Sequence, residues 1–414
     1  MFAIKSLLIT DKEREVLNVT LLDESSEKTK QDNYVSLILG ENGVGKSFLL
    51  KSIIDIFLYL DNAKTYKRKP KYQYQHFAIE YIIDNDNYYV YRESGSNIVA
   101  KKNGQEINHK DIVLPNKILA IAFMVNDKFQ FSNDEDGIYA YHGVRSSTNS
   151  TYTSSITRNI TFDLIECIRN GLLSQVENVL TILQFEPIIK FYFNNTKKTI
   201  IIDLRDDYNG QFAKYEFNKY DYPTVYFSKN NREFSFDSCS SGEKHMLFAF
   251  LGIMSRVMDS SLVLIDEPEI SLHPEWQLKY ISTLEKLFSS FKNCCFILAS
   301  HSHYFVSELK SKSSSIVVLR SGESNSPQAE IIPYDTYAWS AENIIYNVFG
   351  IRTTRNYYFE SDLSYLILSL QDYDGSAEKR ESIEIQIDKL KKYVFGVNDP
   401  LNVLLKDAEG KIKC

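Results

Sequence analysis

Residues 37–50 have the sequence LILGENGVGKSFLL, which contains the pattern G-x-x-x-x-G-K-S between a strand-like apolar run and a helix-like run. Glycines in such a loop let backbone N–H groups approach phosphate oxygens, and the helix that follows points its positive end at the same anions. This context predicts a phosphate-binding loop, in which Lys46 reaches the β- and γ-phosphates and Ser47 holds Mg²⁺. The candidate nucleotide-binding residues of the loop are Gly40, Asn42, Gly43, Gly45, Lys46 and Ser47.

Two further apolar, strand-like runs end in polar residues. SLVLIDEPE ends in an acid pair, and a carboxylate at the end of a buried strand can hold Mg²⁺ while its neighbour deprotonates water. We therefore predict Asp266 as a metal ligand and Glu267 as the general base. Further along the chain, CCFILASHSH ends in His301 and His303. His301 directly follows its strand and is predicted to hydrogen-bond the γ-phosphate, whereas His303 is predicted to have no role in the site.

Composition and charge limit the classes of protein that fit. The 414 residues are enough for two or three lobes, and a net charge of −7 argues against a surface coated in positive charge for nucleic acid. The five cysteines show no metal-binding or disulfide spacing, which is typical of a reducing compartment. No apolar run approaches the roughly 18 residues of a membrane helix, and the N-terminus carries charge too early for a secretory signal. The sequence predicts a soluble cytoplasmic protein.

CSSGEKHML, residues 239–247, places a Ser-Ser-Gly turn at the start of a helical stretch. A simple serine N-cap would explain such a turn in isolation. However, the chain resembles the ABC-type ATPases in the order of its motifs. A phosphate loop is followed by SSGE, then by an apolar strand that ends in Asp-Glu, and then by a strand that ends in His. In that family a signature turn of this kind faces the γ-phosphate bound by the other subunit. The resemblance implies a head-to-tail homodimer, or a higher oligomer built in the same way, with two ATP molecules at the dimer interface. Each ATP is bound in part by Ser240, Ser241, Gly242 and Glu243.

The run DEPEISLHPEWQ is more similar to the OLD, RecF and SMC-like group than to transporter subunits. By this resemblance Asp266 and Glu267 match the Walker B pair and His301 matches the switch histidine. The chain departs from the family pattern at Cys239, where many members have leucine, and at His273, where many have aspartate. FMVNDKFQF offers two candidates for the glutamine-loop residue, Asn126 and Gln130.

The resemblance implies an α/β fold: an ABC-type P-loop ATPase head, with a mixed sheet and flanking helices, a mostly helical insertion and a helical C-terminal tail. It covers about half of the chain, and leaves the insertion and the tail unexplained. The predicted domains are residues 1–145 for the first ATPase lobe with the phosphate loop, 146–235 for the insertion, 236–335 for the second ATPase lobe with the signature, acid pair and switch histidine, and 336–414 for the tail.

OLD-family chains usually continue into a Toprim nuclease domain, but the sequence after His301 shows neither its acidic cluster nor an HNH-like arrangement. Any nuclease is therefore expected to be a separate chain. In this respect the chain resembles the stand-alone ATPases of bacterial anti-phage systems, such as the Septu, PARIS and retron-associated ATPases. Those act with a nuclease or toxin partner, which is the leading hypothesis for this chain's role.

Two other functions stay open at this point. A RecF- or SMC-like DNA-clamping ATPase could grip phosphates and stack on bases through KTYKRKPKYQYQH, although a solvated loop explains that stretch equally well. A scaffold that hydrolyses ATP slowly could store a partner protein. Turnover stimulated by DNA would favour the clamp, and low turnover with a tightly co-purifying nuclease would favour the scaffold. The basic residues of the stretch are Lys64, Lys67, Arg68, Lys69 and Lys71.

Overall fold

The protein divides into two compact units, Met1–Phe349 and Gly350–Cys414, in a computed structural model. It describes the whole chain except residues 13, 23–32, 66–71, 93–96, 133–136, 148–149, 152, 207–222, 311, 323–326, 334–335, 337–338, 350–355, 394–398, 400 and 414. Four of the basic residues considered as nucleic-acid contacts, Lys67, Arg68, Lys69 and Lys71, lie outside the described residues.

Strands dominate the first unit. In chain order they are β1 (Ala3–Asp11), β2 (Arg14–Thr20), β3 (Tyr34–Gly40), β4 (His76–Ile83), β5 (Asp86–Arg92), β6 (Ile98–Lys102), β7 (Gln105–Ile107), β8 (Lys117–Ala122), β9 (Tyr139–Gly143), β10 (Arg145–Ser147), β11 (Ser150–Thr151), β12 (Ile188–Phe193), β13 (Lys198–Asp203), β14 (Thr224–Lys229), β15 (Arg232–Ser235), β16 (Ser261–Asp266), β17 (Cys295–Ser300), β18 (Ser314–Ser321) and β19 (Pro327–Ile331). The helices of this unit are α1 (Lys46–Thr65), α2 (Thr153–Arg169), α3 (Leu173–Ile182), α4 (Ser241–Met254), α5 (Pro274–Leu287) and α6 (Ala341–Asn347).

One mixed sheet forms the body of the first unit, in the order β7-β6-β5-β4-β1-β2-β19-β18-β3-β17-β16-β8-β9. The strands from β18 to β9 are parallel neighbours, whereas β1, β2 and β4 to β7 pair antiparallel. Parallel neighbours need a crossover, which α5 provides between β16 and β17. The α/β class predicted from the sequence is confirmed: a mixed sheet with flanking helices.

Helices cover both faces of the parallel strands. Successive side chains of β3 point to opposite faces, so that Leu37 and Leu39 pack with α4 and α5 while Ile38 packs with α1. All of β3, β8, β16 and β17 is buried, which explains why these strands are continuous apolar runs rather than alternating ones. The polar residues that follow such runs therefore stand at the edge of a rigid core.

The region 146–235 contains more sheet than the predicted mostly helical insertion. Within its described residues, α2 and α3 are followed by a separate antiparallel sheet in the order β13-β12-β14-β15. Every second residue of β12 is buried, the pattern of a strand with one face on the core. A tight turn joins β14 to β15 at Asn230 and Asn231, which have φ of +53° and +59°.

The buried helix α4 is held to the sheet by a buried histidine. The ring of His142, on β9, stacks on Phe248 with ring centroids 3.9 Å apart, and its Nε2 lies 3.1 Å from the Phe248 carbonyl oxygen. Gly252 makes this approach possible, because a Cβ there would stand 2.2 Å from His142 Nε2. Asp163 of α2 is 3.5 Å from the same nitrogen. His142 thus links β9, α2 and α4.

Stability should fall in mild acid because of this histidine. Burial lowers the pKa of His142 to about 4, against about 6.5 for histidine in an unfolded chain. Its contribution to stability is complete above pH 6.5 and is lost as the pH falls toward 4, because the unfolded chain binds the proton more tightly. Between pH 6.5 and 5 the loss is about 2 kcal/mol, at 1.36 kcal/mol per pH unit.

We expect His142→Phe, which has a ring of similar size that does not titrate, to lose about 2 kcal/mol less than the wild type between pH 6.5 and 5. The measurement is urea unfolding followed by tryptophan fluorescence at both pH values. An identical change in the free energy of unfolding for the two proteins would contradict the assignment.

The second unit contains the helices α7 (Tyr357–Gln371), α8 (Ala377–Lys391) and α9 (Leu401–Lys413). They share a small core of their own, centred on Leu366, Ile387 and Leu405. Every element described between residues 336 and 414 is a helix, in agreement with the predicted helical tail. Among the described residues of the chain, no helix is both long enough and apolar enough to cross a membrane.

Candidate functional site

The carboxyl ends of four neighbouring parallel strands meet at one edge of the large sheet. Leu39 of β3 pairs with Ser300 of β17, and Asp266 of β16 pairs with both Ala299 and Ala122. The residues that follow these strands therefore stand side by side. The structure thus brings together the phosphate loop, the acid pair, the candidate switch histidine and the loop after β8, although they lie far apart in the sequence.

The phosphate loop connects β3 to α1 as the sequence predicts. Gly43 and Gly45 have φ of +82° and +107°, a region that favours glycine. A Cβ on Gly45 would stand 2.9 Å from the Pro327 ring, so the loop is also closely packed there. At Gly43, by contrast, a Cβ would meet nothing within 4 Å. The open space beside Gly43 fits the approach of a phosphate group to the backbone N–H groups of the loop.

Lys46, the first residue of α1, turns its side chain back into the loop. Its Nζ donates hydrogen bonds to the carbonyl oxygens of Gly40 (2.9 Å) and Glu41 (3.2 Å), and lies 2.6 Å from His301 Nε2. Burial lowers the pKa of Lys46, and the negative charges of nearby carboxylates, Glu267 first among them, oppose that shift. A buried ammonium among acceptors is suited to bind phosphate.

Asp266 and Ser47 form the arrangement expected of a divalent-cation site. The Ser47 hydroxyl hydrogen-bonds the Asp266 carboxylate, which is buried at the end of β16. Burial raises the pKa of Asp266 to about 6, and the Ser47 hydrogen bond partly offsets this effect. Asp266 Oδ1 has no hydrogen-bond partner among the described residues. A buried carboxylate oxygen without a partner is costly, so these residues fit a bound cation.

Glu267 has a different environment from Asp266. Its φ of +53° is unusual for a side chain of this size, and the conformation is held by a hydrogen bond from its N–H to the Ala299 carbonyl oxygen (2.8 Å). The side chain is 25% exposed, so water can reach it, and its Oε1 lies 3.6 Å from His301 Nε2. A carboxylate that is open to water and held in place is suited to accept a proton from it.

Glu269 belongs to the same cluster and was not predicted. Its Oε1 accepts a hydrogen bond from the backbone N–H of His301 (2.5 Å), and its Oε2 has no partner among the described residues. Burial raises the pKa of Glu269. The signal was present in the sequence, since Glu269 is the third carboxylate of DEPE, but only the structure shows that it holds the segment carrying His301.

The other histidines of these segments have structural surroundings. His303 starts the 3-10 helix His303–Glu308 and its ring packs against Tyr304. His273 caps α5, with its Nδ1 accepting a hydrogen bond from the Glu275 N–H (3.3 Å). By contrast, burial and the nearby Lys46 charge lower the pKa of His301, which keeps its ring neutral near the phosphate loop.

The two glutamine-loop candidates lie in the loop after β8, on either side of a buried acid. Asn126 and Gln130 are both exposed, and Gln130 lines a cavity together with Asp55 and Tyr139. Between them, Asp127 is buried and accepts hydrogen bonds from the Tyr141 hydroxyl (2.7 Å) and the Phe129 N–H (2.9 Å). The Asp127 charge is one of the smaller causes of the raised pKa of Asp266.

The signature turn caps α4. Ser240 is the N-cap: its hydroxyl accepts a hydrogen bond from the Glu243 N–H (3.2 Å), and the Glu243 carboxylate accepts one from the Ser240 N–H (2.8 Å). This capping box accounts for Glu243, whose other oxygen lies 3.3 Å from Lys229 Nζ. Ser240 and Ser241 are exposed, whereas Cys239 is buried beneath the turn. The turn therefore presents two hydroxyls at the positive end of a buried helix.

Gly242 is required by packing at this point. A Cβ at this position would stand 2.7 Å from the Trp276 ring and 2.9 Å from the Ser271 carbonyl oxygen. We expect Gly242→Ala to destabilise the protein by about 1–3 kcal/mol, because the backbone oxygen cannot move aside cheaply. Urea unfolding measures this change. Ser241→Ala, at the exposed neighbouring position, is the control and should stay within about 0.5 kcal/mol; equal stability of both variants would contradict the close packing.

The chain is similar to several known proteins. The family described as "AAA domain, putative AbiEii toxin, Type IV TA system" matches residues 189–307. The chain is 25% identical to the Septu protein PtuA of Bacillus thuringiensis, over 92% of this chain and 93% of that protein. It is 30% identical to the "Retron Ec83 probable ATPase" of Escherichia coli, over 32% of this chain and 26% of that protein. Among solved structures, the SMC head domain from Thermotoga maritima aligns with a TM-score of 0.39 at 12% identity, over 80% of this chain and 99% of that one.

The sequence similarities confirm the predicted resemblance to ABC-type ATPases of bacterial defence systems. They also confirm the predicted enzyme class: the chain is an ATPase, and as such it binds nucleotide.

Proposed function

We propose that two copies of this chain form a head-to-tail dimer, in which each ATP lies between the phosphate loop of one copy and the signature turn of the other. The placement of the turn carries this proposal. Ser240 and Ser241 are exposed, and the hydrogen bonds described for residues 240–243 stay within that turn and α4 or involve Lys229. Hydroxyls at the positive end of a helix form an anion site that a second subunit's triphosphate can complete.

Within one such site, each residue of the cradle has a distinct task. Backbone N–H groups of residues 40–47 and the Lys46 ammonium bind the phosphates, as their geometry favours. Ser47 and Asp266 are the residues that would hold Mg²⁺, which supplies charge neutralisation at the phosphates when bound. Asn42 lies in the exposed part of the loop, where its side chain can reach a bound nucleotide, and keeps its predicted binding role.

For the chemical step, Glu267 accepts a proton from water as the water oxygen forms a bond to the γ-phosphorus. The bond between that phosphorus and the β–γ bridging oxygen breaks, and ADP and phosphate are released. The neutral His301 ring stands between Lys46 and Glu267, at 2.6 Å and 3.6 Å, and donates a hydrogen bond to the γ-phosphate. Ser241 and Gly242 of the other copy cover the same phosphate.

We further propose that this ATPase is the regulatory subunit of a bacterial anti-phage system and acts with a separate nuclease or toxin protein. The similarity to the Septu protein PtuA supports this role because it extends over nearly the whole of both chains. The cytoplasm is the proposed location, since Cys167, Cys239, Cys294 and Cys295 are buried free thiols, as in a reducing compartment.

A phage-challenge experiment tests this role. The chain is expressed with its neighbouring genes in a phage-sensitive host, as wild type, Glu267→Gln and Glu275→Gln. Glu275 is an exposed carboxylate paired with Lys279 outside the site, so its variant is a matched control. We expect protection by the wild type and the control, loss of protection with Glu267→Gln, and recovery of a nuclease or toxin with the tagged chain. Full protection by Glu267→Gln would contradict the role. Turnover that DNA stimulates, without any partner protein, would instead favour a DNA-clamping ATPase.

A further inference from the structure

A second buried histidine joins the signature helix to the acid pair. His245 lies on α4, one turn after Ser241, and is buried. Its ring hydrogen-bonds the backbone of Pro268, and since proline has no N–H, the ring donates to the Pro268 carbonyl oxygen. The same His245 ring also stacks on Phe123, with ring centroids 3.6 Å apart and an angle of 16° between the ring planes.

Both contacts of His245 are made to segments of the ATP site. In the sequence, Pro268 lies between Glu267, the proposed base, and Glu269, which accepts a hydrogen bond from the His301 N–H. Phe123 starts the loop after β8, directly beyond Ala122, which pairs with Asp266. One ring therefore touches both the segment that follows Asp266 in the chain and the segment that follows the strand paired with it.

The ring keeps one protonation state. Burial lowers the pKa of His245 to about 3, and its Nε2 has no hydrogen-bond partner among the described residues. A neutral imidazole whose proton is committed to the Pro268 carbonyl makes a fixed link rather than a switch. Any displacement of the first turns of α4 therefore moves the Pro268 carbonyl or breaks this hydrogen bond.

We propose that His245 is a positioning residue that couples the signature turn of each copy to the carboxylates of that copy's own ATP site. The inference rests on the proposed dimer, because in that dimer the signature turn of one copy contacts the triphosphate bound to the other copy. Occupation of one site then shifts α4, and His245 carries the shift to Glu267 and Glu269 in the second site. Hydrolysis should accordingly be cooperative in ATP, although His245 touches neither nucleotide.

The test compares three variants by their ATP dependence of steady-state turnover. His245→Phe keeps the aromatic stack on Phe123 but cannot donate a hydrogen bond to Pro268. His245→Asn loses the stack, but its side-chain amide places an N–H donor close to the position of the His245 Nδ1, the ring nitrogen that donates to Pro268. His142→Phe is the matched control, because His142 also packs a buried ring against α4. None of the contacts described for His142 is to Phe123 or Pro268. Thermal unfolding checks that each variant is folded.

We expect a Hill coefficient above 1 for the wild type and for His142→Phe. His245→Phe should lower it to about 1 and reduce turnover about tenfold, within the usual range of coupling between sites, with ATP affinity unchanged. His245→Asn should restore part of the cooperativity. The inference is overturned if the wild type is not cooperative, if His245→Phe keeps the wild-type Hill coefficient and turnover, or if His142→Phe lowers both equally.

Ser241→Arg separates this inference from the dimer on which it rests. If Ser241→Arg abolishes turnover while His245→Phe behaves as the wild type, the composite site stands and only the coupling role of His245 is wrong. If Ser241→Arg hydrolyses ATP normally, the composite site is wrong and the coupling inference falls with it.

Discussion

Replacing Glu267 by glutamine should lower ATP turnover by about 10²- to 10⁴-fold, the usual contribution of a positioned general base. Glutamine has nearly the shape of glutamate but cannot take a proton from water. The phosphate contacts of Lys46 and the Ser47–Asp266 pair do not depend on this carboxylate, so ATP affinity should change little. Because ATP stays intact between the two copies, the dimer should accumulate.

Single-turnover hydrolysis, nucleotide binding and size-exclusion chromatography with ATP together measure these effects. The expected result is slow hydrolysis, near-normal binding and an ATP-dependent shift to the dimer. Glu275→Gln, which removes an exposed carboxylate on α5, is the control and should match the wild type in all three. Unchanged turnover in Glu267→Gln would show that another group activates the water, and Glu269 would then be the first residue to test.

The parts of the site that the sequence predicted are those in which the chemistry is local. Gly43, Gly45 and Lys46 act within a few residues of one another, and an Asp-Glu pair after an apolar strand needs no distant partner to be recognised. Parallel strands then bring these short motifs to one edge, which strand type and order make predictable. Motif and strand context were therefore sufficient to predict that these residues lie together at one edge of the sheet.

The contacts that the sequence did not predict join segments that are far apart in the chain. His245 is helical and flanked by apolar residues, so nothing local distinguishes it from an ordinary core histidine, and its partners are residues 123 and 268. Asp127 was not predicted for the same reason, because its buried partner, the Tyr141 hydroxyl, belongs to a separate segment, β9. The sheet of residues 188–235 was underestimated because its strands do not form the continuous buried apolar runs that mark β16 and β17. The Asn230-Asn231 turn nevertheless marks one hairpin.

Mixing two inactive variants should restore activity if the site is shared between copies. Lys46→Ala has a defective cradle and an intact signature turn, and should bind ATP weakly, because it loses the charged contact to the phosphates. Ser241→Arg has an intact cradle, so its monomer should still bind ATP, but the long cation at the start of α4 blocks closure on the other copy. Each variant alone has two defective sites per dimer and should show almost no turnover.

In a heterodimer of the two variants, one site combines both defects and the other combines the intact cradle of Ser241→Arg with the intact turn of Lys46→Ala. With random pairing, half of the dimers are heterodimers, so an equal mixture should recover up to about a quarter of wild-type turnover. Coupling between the sites lowers that figure. A mixture of Lys46→Ala with Glu267→Gln is the control, because both changes lie in the cradle and no pairing rebuilds a complete site. Recovery in the first mixture alone establishes the shared site, since a site built within one chain could not be repaired by any partner.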